Sequence, residues 1–238
     1  MDKVRSVALP ALTGISHASS AFIGTFLLVH LAAPIAGNAG SNIASQMMLL
    51  GREYYQTAFG EKFLVLGPIA VHATASCMKR LLSPPGKPPR RLTGGFSASG
   101  YFAGLFFVPI HYLTHRAYPA SPAAPISCVG PSELDYDFVK TGLQKWPKRS
   151  WALYIGLTAF VVFHAVDGLQ VIFKQSLKGV AERWTRMRRN KRMGVVTLGV
   201  LLPVFSGLAV LGREDVMAFG NVVSRYEAAL RSNFIYRI

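Results

Sequence analysis

Cysteine is nearly absent from this sequence, and so are the motifs of several common enzyme classes. Cys77 and Cys128 are the only two cysteines, and they stand far apart. They have neither the spacing of a metal site nor the pattern of a disulfide framework. No phosphate-binding glycine loop, nucleophile triad or metal-hydrolase motif is present. We therefore expect a protein that is not an enzyme of these classes, while redox and lipid-scrambling activities stay open.

The start of the chain lacks two targeting signals. Met1–Pro10 has too few apolar residues for a cleaved signal peptide. It also lacks the Arg/Ser-rich amphipathic pattern of a matrix-targeting presequence. We expect membrane insertion to rely on the spans themselves.

Apolar residues and positive charge, by contrast, are both abundant. Hydrophobic residues make up 51% of the chain, the mean hydropathy is +0.31, and the net charge is +15. A nucleic-acid-binding protein of that charge would be less apolar and would spread its basic residues more widely. Here short basic runs separate long apolar stretches, as in multi-spanning membrane proteins. The composition predicts a membrane protein whose partners include lipids and exclude nucleic acid.

Five apolar stretches have about the length, roughly 20 residues, that a helix needs to cross hydrocarbon. They cover residues 15–35, 63–82, 96–112, 151–173 and 193–211. We predict an all-α membrane protein with five transmembrane helices, forming a single transmembrane domain over residues 1–238. Ser41–Phe59 predicts a short amphipathic helix on the membrane surface. The connection Ala117–Gly130 is expected to be irregular, and the periodicity of Arg213–Ile238 favours a helix along the interface.

The basic residues are unevenly distributed between the two membrane surfaces. With five spans the termini lie on opposite sides; we call the side of the N-terminus side A and the other side B. Side A receives Lys79, Arg80, the proline-rich basic turn Leu82–Leu92 and the segment Ser176–Arg192, whereas side B is nearly balanced. The positive-inside rule then places side A, with the N-terminus, in the cytosol. The run Arg183–Arg192 is interpreted as a surface for phospholipid headgroups or an acidic partner, or as a solvated basic face.

The first four spans resemble two copies of one unit. The matching segments, at a constant offset of 80, are Leu12–Gly14 with Leu92–Gly94, His17–Ser19 with Ser97–Ser99, and Phe22–Phe26 with Phe102–Phe106. In the spans that follow, Val71-His72-Ala73 resembles Phe163-His164-Ala165. We predict a tandem two-helix repeat around an axis along the membrane normal, which forms a four-helix bundle with a fifth helix added.

Four histidines inside these spans form repeat-related pairs. His72 and His164 lie nearer the middle of the membrane, and His30 and His111 lie toward side B, roughly 10 Å away in depth. Ionisable residues inside a membrane are costly and usually have a partner. A haem b in a helical bundle needs two imidazoles from different helices at similar depth. All four are therefore candidate ligands of the iron of one or two haems. The alternative, hydrogen bonds across helices without a metal, stays open.

Other polar or small residues in these spans have less specific interpretations. His17 and His115 lie near the interfaces, although His115, one turn from His111, could replace it as a ligand. Asp167 is the only acid within a span and is expected to pair with a histidine, a water or a propionate-bound cation, or to cap a helix. Gly100 and Gly104 form a G-x-x-x-G pattern that is more typical of helix packing than of a site.

Several short strings together resemble a known family. They are Gly51–Gln56, Leu66–Pro68 before His72, His111 with His115-Arg116, and His164–Gly168. From about Leu12 to Leu211 the chain resembles the fungal mitochondrial adapter protein family with its Mdm10-complementing type of transmembrane domain. The resemblance implies a bundle related to the cytochrome b anchors of succinate dehydrogenase and fumarate reductase, which bind haem through two histidines. It thereby implies the ligand pairs His72 with His164 and His30 with His111.

The same resemblance implies a function in the mitochondrial outer membrane. Such proteins act in lipid homeostasis and recruit a bridge-like lipid-transfer protein to membrane contact sites through a Pro-x-Pro motif in a cytosolic N-terminal tail. This sequence departs from that pattern because only Pro10 precedes the first span. The turn Pro84–Pro89, also on side A, is a poor substitute.

Three hypotheses follow from these observations. The first is a non-enzymatic adapter of mitochondrial lipid homeostasis whose bundle binds haem b. The second is a cytochrome b-type electron-transfer anchor of a quinone-linked oxidoreductase. The third is a helical bundle without a cofactor.

Overall fold

The computed structural model describes residues 2–83 and 95–237, and all of the regular structure in these ranges is helical. Its α-helices are α1 (Asp2–Ala36), α2 (Ser41–Tyr55), α3 (Gly67–Leu82), α4 (Gly95–Tyr101), α5 (Val108–Tyr112), α6 (Tyr136–Lys145), α7 (Pro147–Gln175), α8 (Glu182–Arg186), α9 (Arg189–Val196), α10 (Leu202–Leu211), α11 (Gly220–Ser232) and α12 (Phe234–Arg237). A 3₁₀ turn covers Gly37–Ala39, and π-helical turns cover Gly60–Leu66, Phe102–Phe107, Leu113–Ala117 and Thr197–Leu201. The π-helical turns join their neighbours into unbroken helices over 58–82, 95–117 and 189–211. The all-helical prediction is confirmed for the described residues.

Three helices in the described part of the chain are long and apolar enough to cross a membrane. They are Val4–Ala39, Pro147–Gln175 and Arg189–Leu211. Only 11%, 17% and 28% of the residues in their most apolar windows are buried inside the protein. Apolar helices that expose so much surface cannot belong to a water-soluble core, so this surface faces hydrocarbon.

The other two predicted spans form helices but are less apolar. The 58–82 helix contains Glu61 and His72, and the 95–117 helix contains His111, His115 and Arg116. Arg116 donates two hydrogen bonds to Glu61, which ties the start of one helix to the end of the other. The polar residues lower the mean hydropathy of these helices, and so the length-and-apolarity criterion selects three helices rather than five.

The helices pack as the repeat predicts. α1 contacts α3, and α4 contacts α7, which gives two helix pairs. The fifth stretch packs against both pairs, since α10 contacts α1 and α9 contacts α7. At Gly207 a Cβ would collide with the backbone of Pro34, so this glycine allows the close approach of α10 to α1.

Contacts between the helix ends group them into two sets. At one end His17 Nδ1 lies 2.7 Å from Ser176 Oγ. At the other end the backbone N–H of Ser41 donates to Glu214, and that of Tyr136 donates to Ser45. These two ends correspond to the predicted sides A and B.

Side B carries a folded cap, formed by residues 118–146 and 213–237. Its core includes Phe138, Tyr226, Leu230 and Tyr236, each at most 2% exposed. The tail therefore packs on α6, whereas the periodicity favoured a helix lying along the interface. Both arrangements need one apolar face on the tail helix, and here Phe138 covers that face. The connection 117–130 is irregular, as predicted, and α2 confirms the helix expected over Ser41–Phe59.

Buried charges in the cap are fully paired. Lys140 is 1% exposed, and its Nζ lies 2.5 Å from Asp137 Oδ1 and 2.7 Å from the carbonyl oxygen of Asp215. Arg225 donates hydrogen bonds to Glu133, which lowers the pKa of that carboxyl. A buried charge is tolerated only when it is paired in this way.

The side-A connections differ in what the structure describes. The basic turn Leu82–Leu92, its prolines Pro84–Pro89 and the first matched segment of the second repeat copy lie in or extend into residues 84–94, outside the described ranges. The segment Ser176–Arg192 is not one helix, because Gly179 and Ala181 have positive φ angles and α8 is short.

Candidate cofactor-binding site

His72 and His164 face each other across the bundle. His72 is on the 58–82 helix and His164 on α7, and each therefore belongs to a different helix pair. Their ring centroids are 6.2 Å apart, and the ring planes are nearly perpendicular at 87°. Imidazoles that meet in this way across two helices can share a ligand placed between them.

Each of these two rings is oriented by an equivalent backbone carbonyl. His72 Nδ1 lies 3.1 Å from the carbonyl oxygen of Ser16, and His164 Nδ1 lies 3.2 Å from that of Phe96. Ser16 and Phe96 are 80 residues apart, which is the repeat offset. An Nδ1–H that donates to a carbonyl fixes the tautomer and leaves the Nε2 lone pair available.

The hydroxyl groups around these carbonyls follow the repeat as well. Ser19 Oγ donates to the Ser16 carbonyl, and Ser99 Oγ donates to the Phe96 carbonyl, both at 3.0 Å. Both serines are buried. Ser20 Oγ and Ser19 Oγ also lie 3.2 and 3.4 Å from His72 Nδ1. The two halves of the site are therefore built in the same way.

His164 is confined on two further sides. The ring of Phe96 stacks on it at 4.7 Å with an interplanar angle of 12°. At Gly100, a Cβ would lie 2.7 Å from His164 Cε1, so a glycine is needed there. Nothing lies within 4 Å of a Cβ at Gly104. The two glycines of the G-x-x-x-G pattern thus differ: one makes room for the imidazole, and the other does not take part in packing.

His30 and His111 form a second facing pair toward side B. Their ring centroids are 5.7 Å apart at 83°. Phe26 stacks on His30 at 5.1 Å, and Tyr55 meets the same ring edge-on at 5.8 Å. The Nδ1 atom of His30 is buried without a hydrogen-bond partner in the described structure.

The second pair deviates from the repeat offset by one residue. His30 and His111 are 81 residues apart rather than 80. The 95–117 helix contains the π-helical turn Phe102–Phe107, whereas α1 is α-helical throughout. A π-helical turn accommodates one extra residue. The bulge therefore explains why His30 faces position 111 and not 110.

His115 does not replace His111 as the partner of His30. Its ring lies 4.5 Å from that of His111, but its Nε2 is 3.3 Å from the hydroxyl of Tyr154. Its other face meets Phe138 of the cap. A cavity of about 10 Å³ lies between His111, His115 and Tyr154, which is about the space of one water. His115 thus links the second pair to the cap.

The two pairs are further apart than the sequence estimate of roughly 10 Å. His72 lies level with Ser16–Ser20 on α1, and His30 follows 10 to 14 residues later, which corresponds to roughly 15 to 20 Å of helix rise. The estimate fell short because the second helix begins at residue 58, before the predicted start at 63.

Both pairs have the ring separation that two axial ligands of one metal require. With a metal–nitrogen distance of about 2 Å and a nitrogen about 1.1 Å from its ring centroid, two opposed imidazoles place their centroids roughly 6 Å apart. The observed 6.2 and 5.7 Å fit this value. The free Nε2 of the first pair and the unpartnered Nδ1 of His30 are consistent with ligation. No cluster of three or more metal-ligating side chains occurs in residues 2–83 and 95–237.

Asp167 and His17 have partners that the sequence did not indicate. Asp167 accepts hydrogen bonds from Arg189 at 2.9 to 3.2 Å, so its partner is an arginine at the start of α9 and not a histidine. His17 bonds Ser176 and lies apart from the two pairs.

Several site residues were missed by the sequence reasoning. Ser19 and Phe96 are examples, together with Ser16, Ser20 and Tyr154. The repeated Ala-Ser string at positions 18–19 and 98–99 was the available signal, because it marks Ser19 and Ser99 as equivalent. Nothing in one sequence connects those serines to histidines more than 50 residues away.

Comparison with known proteins gives one match. Residues 106–216 match the family model of MDM10-complementing protein 1, transmembrane domain. The match covers somewhat less than half of the chain and includes His111 and His164, one histidine of each pair. It supports the family resemblance and suggests a role in a mitochondrial membrane. No curated protein and no solved structure matches the chain.

Proposed function

We propose that this chain is a mitochondrial outer-membrane protein of lipid homeostasis, which acts at contact sites as an adapter or partner for a bridge-like lipid-transfer protein. Its support is the match of residues 106–216 to the MDM10-complementing transmembrane domain. The N-terminus is cytosolic in this proposal, because the basic segments of side A follow the positive-inside rule.

All five helices cross the membrane in this proposal. The 58–82 and 95–117 helices have 25 and 23 residues, and at 1.5 Å per residue each is about 35 Å long, enough to span the hydrocarbon. Their histidines face the interior, while Leu81 and Leu105 are 78% and 76% exposed. The first four helices then form a bundle of the succinate dehydrogenase and fumarate reductase cytochrome b type.

The bundle binds haem b, with His72 and His164 as the first ligand pair and His30 and His111 as a second. The observation that carries this proposal is that His72 and His164 each bond an equivalent carbonyl through Nδ1, which leaves both Nε2 atoms free at a separation that suits one iron. Haem b, when bound, supplies a one-electron redox centre. Ser16 and Phe96 orient the ligands, and Gly100 and Phe96 confine the ring of His164.

The haem proposal is tested by absorption spectra of the detergent-purified protein, oxidised and reduced. We expect a Soret band and the paired α and β bands of a b cytochrome. His72→Ala and His164→Ala should each remove most of the signal, whereas the control His17→Ala, which lies outside both pairs, should retain it. A colourless protein with a normal melting transition would refute haem binding.

A second candidate function is electron transfer as a cytochrome b-type anchor of a quinone-linked oxidoreductase. The observation that favours it is the presence of two imidazole pairs at different depths, since electrons that cross a membrane need successive redox centres. This function predicts reduction of the purified protein by a quinol and a tightly bound soluble subunit. The adapter function predicts neither.

The adapter function is tested in cells. Removal of the chain should lower the amount of the bridge-like lipid-transfer protein at the mitochondrial surface several-fold, as measured by fluorescence imaging. The His72→Ala chain should restore it if recruitment and haem binding are separate properties. An unchanged distribution after removal would contradict the adapter role. A lipid-scrambling assay in liposomes tests separately whether the chain moves lipids itself.

A further inference from the structure

The basic segment 176–192 is fixed to the end of α7. Gln170 Nε2 donates to the carbonyl oxygen of Thr185 at 3.0 Å, and Arg189 binds the carboxylate of Asp167. Trp184 packs against the core cluster of Val162, Val166 and Leu201. The segment is therefore a fixed surface between α7 and α9, and its side chains have defined positions.

Only some of the cations on this surface are neutralised by acids. Arg186 pairs with Glu182 at 2.6 Å, and Arg189 pairs with Asp167. Arg183, Arg188 and Lys191 are exposed and have no carboxylate within ion-pair distance among residues 2–83 and 95–237. These three line an open depression of about 680 Å³, together with Glu182, Arg186 and Met187. The depression contains four cations and one acid.

The depression lies where phospholipid headgroups are located. α9 continues from Lys191 directly into the apolar helix that ends at Leu211, and α7 ends at Gln175. Leu177 and Val180 are 45% and 53% exposed in the same segment. Exposed apolar side chains next to arginines and lysines are typical of the membrane interface.

The base of this surface also has unsatisfied donors. Arg192 is 6% exposed, and its guanidinium donates to the carbonyl oxygen of Met187, but its Nε is buried without a partner in the described structure. The same is true of Trp184 Nε1. Buried N–H groups are rarely left without acceptors, because an unmade hydrogen bond is costly. A bound phosphate, with its water shell, supplies such acceptors.

We propose that Arg183, Arg186, Arg188 and Lys191 form a binding site for the headgroup of a phospholipid that carries at least two negative charges. A headgroup with one charge would leave most of this excess unneutralised. Arginine matches phosphate oxygens with two parallel hydrogen bonds, and basic pockets between membrane helices are suited to such lipids. A lipid fits this site better than an acidic protein surface does, because Leu177 and Val180 lie beside the cations at the level of the acyl chains.

The test is native mass spectrometry of the full chain in detergent with defined lipids. The probes are cardiolipin and phosphatidic acid, with phosphatidylserine and phosphatidylcholine for comparison. We expect cardiolipin or phosphatidic acid to bind at least tenfold more tightly than phosphatidylcholine and more tightly than phosphatidylserine. Added inorganic phosphate at the same concentration should not displace the lipid; displacement would mean that the site binds free phosphate instead.

A matched pair of triple variants tests the residues. Arg183→Gln/Arg188→Gln/Lys191→Gln should lose at least tenfold in affinity for the doubly charged lipid, because each basic residue near a membrane surface contributes about 1 kcal/mol, or fivefold. Lys148→Gln/Arg149→Gln/Arg213→Gln removes the same charge on side B and should leave the affinity unchanged. Arg188→Gln alone, with a loss of several-fold expected, serves if the triple variant does not fold. Equal losses in both triple variants, or equal binding of all four lipids, would overturn the proposal.

Discussion

The two histidine pairs differ in how their rings are held. In the first pair, both His72 and His164 bond a backbone carbonyl through Nδ1. In the second pair, His30 Nδ1 has no partner in the described structure, and its ring is held by Phe26 and Tyr55. The first pair is thus oriented by hydrogen bonds, whereas at His30 aromatic packing has replaced them.

This difference indicates which pair is the better ligand set. A carbonyl bond at Nδ1 fixes the tautomer and raises the basicity of Nε2, both of which favour metal ligation. Stacking restricts a ring but does not select its tautomer. We therefore expect the first pair to bind haem more tightly, and the predictions below test this ranking.

The largest effect is expected at Gly100. Gly100→Ala places a methyl group 2.7 Å from His164 Cε1, while Phe96 prevents the ring from moving away on its other side. The haem content of the first pair should fall at least tenfold, as measured by absorbance per chain. Gly104→Ala is the matched control, because its Cβ meets nothing within 4 Å, and it should retain the haem. Equal retention in both variants would show that His164 is not confined as described.

A smaller effect is expected at the serines around His72. Ser19→Ala with Ser20→Ala removes two hydroxyls near His72 Nδ1 but leaves the Ser16 carbonyl in place. Outer-shell partners of metal ligands contribute about 10- to 100-fold to affinity, and with the carbonyl retained we expect a loss of about tenfold. Haem transfer to an acceptor protein measures this. Ser206→Ala, whose hydroxyl bonds only within α10, should have no effect.

The second pair should respond to a different substitution. Tyr154→Phe removes the hydroxyl that bonds His115 Nε2 and frees the ring that packs on His111. Haem at His30 and His111 should be held several-fold more weakly, with no change at the first pair. Redox titration of the two centres separates these effects. A change confined to the first pair would contradict the assignment of His115 to the second.

The smallest effect on haem is expected at Asp167. Asp167→Asn weakens the ion pair with Arg189, which lies 54% exposed at the membrane surface. We expect a loss of stability of about 1 kcal/mol and less than a twofold change in haem affinity at either pair. Thermal unfolding in detergent and haem content measure the two quantities. A large loss of haem would mean that Asp167 acts on His164 directly.

Much of the site could be predicted because the sequence repeats. The constant offset and the helical rise placed His72 with His164 and His30 with His111 before any coordinates were considered. The offset of 81 in the second pair could not be interpreted, since a π-helical turn has no clear sequence signature. Similarly, the G-x-x-x-G pattern does not tell which glycine, Gly100 or Gly104, approaches another side chain.

Long-range polar contacts and the cap were beyond the sequence. Asp167 and Arg189 lie on different helices, and the turn between them includes two residues with positive φ whose geometry decides where Arg189 lies. The tail helix has one apolar face, which suits a membrane surface and a protein core equally well. Only the position of Phe138, far away in the sequence, decides between them.

The central claim, that His72 and His164 bind one haem iron, is tested most directly by electron paramagnetic resonance of the oxidised purified protein. Two imidazoles at 87° predict a highly anisotropic low-spin ferric signal. The signal should be absent from His72→Ala and from His164→Ala, and present in His17→Ala. A folded protein with no low-spin signal, or a signal that survives both alanine substitutions, would contradict the account.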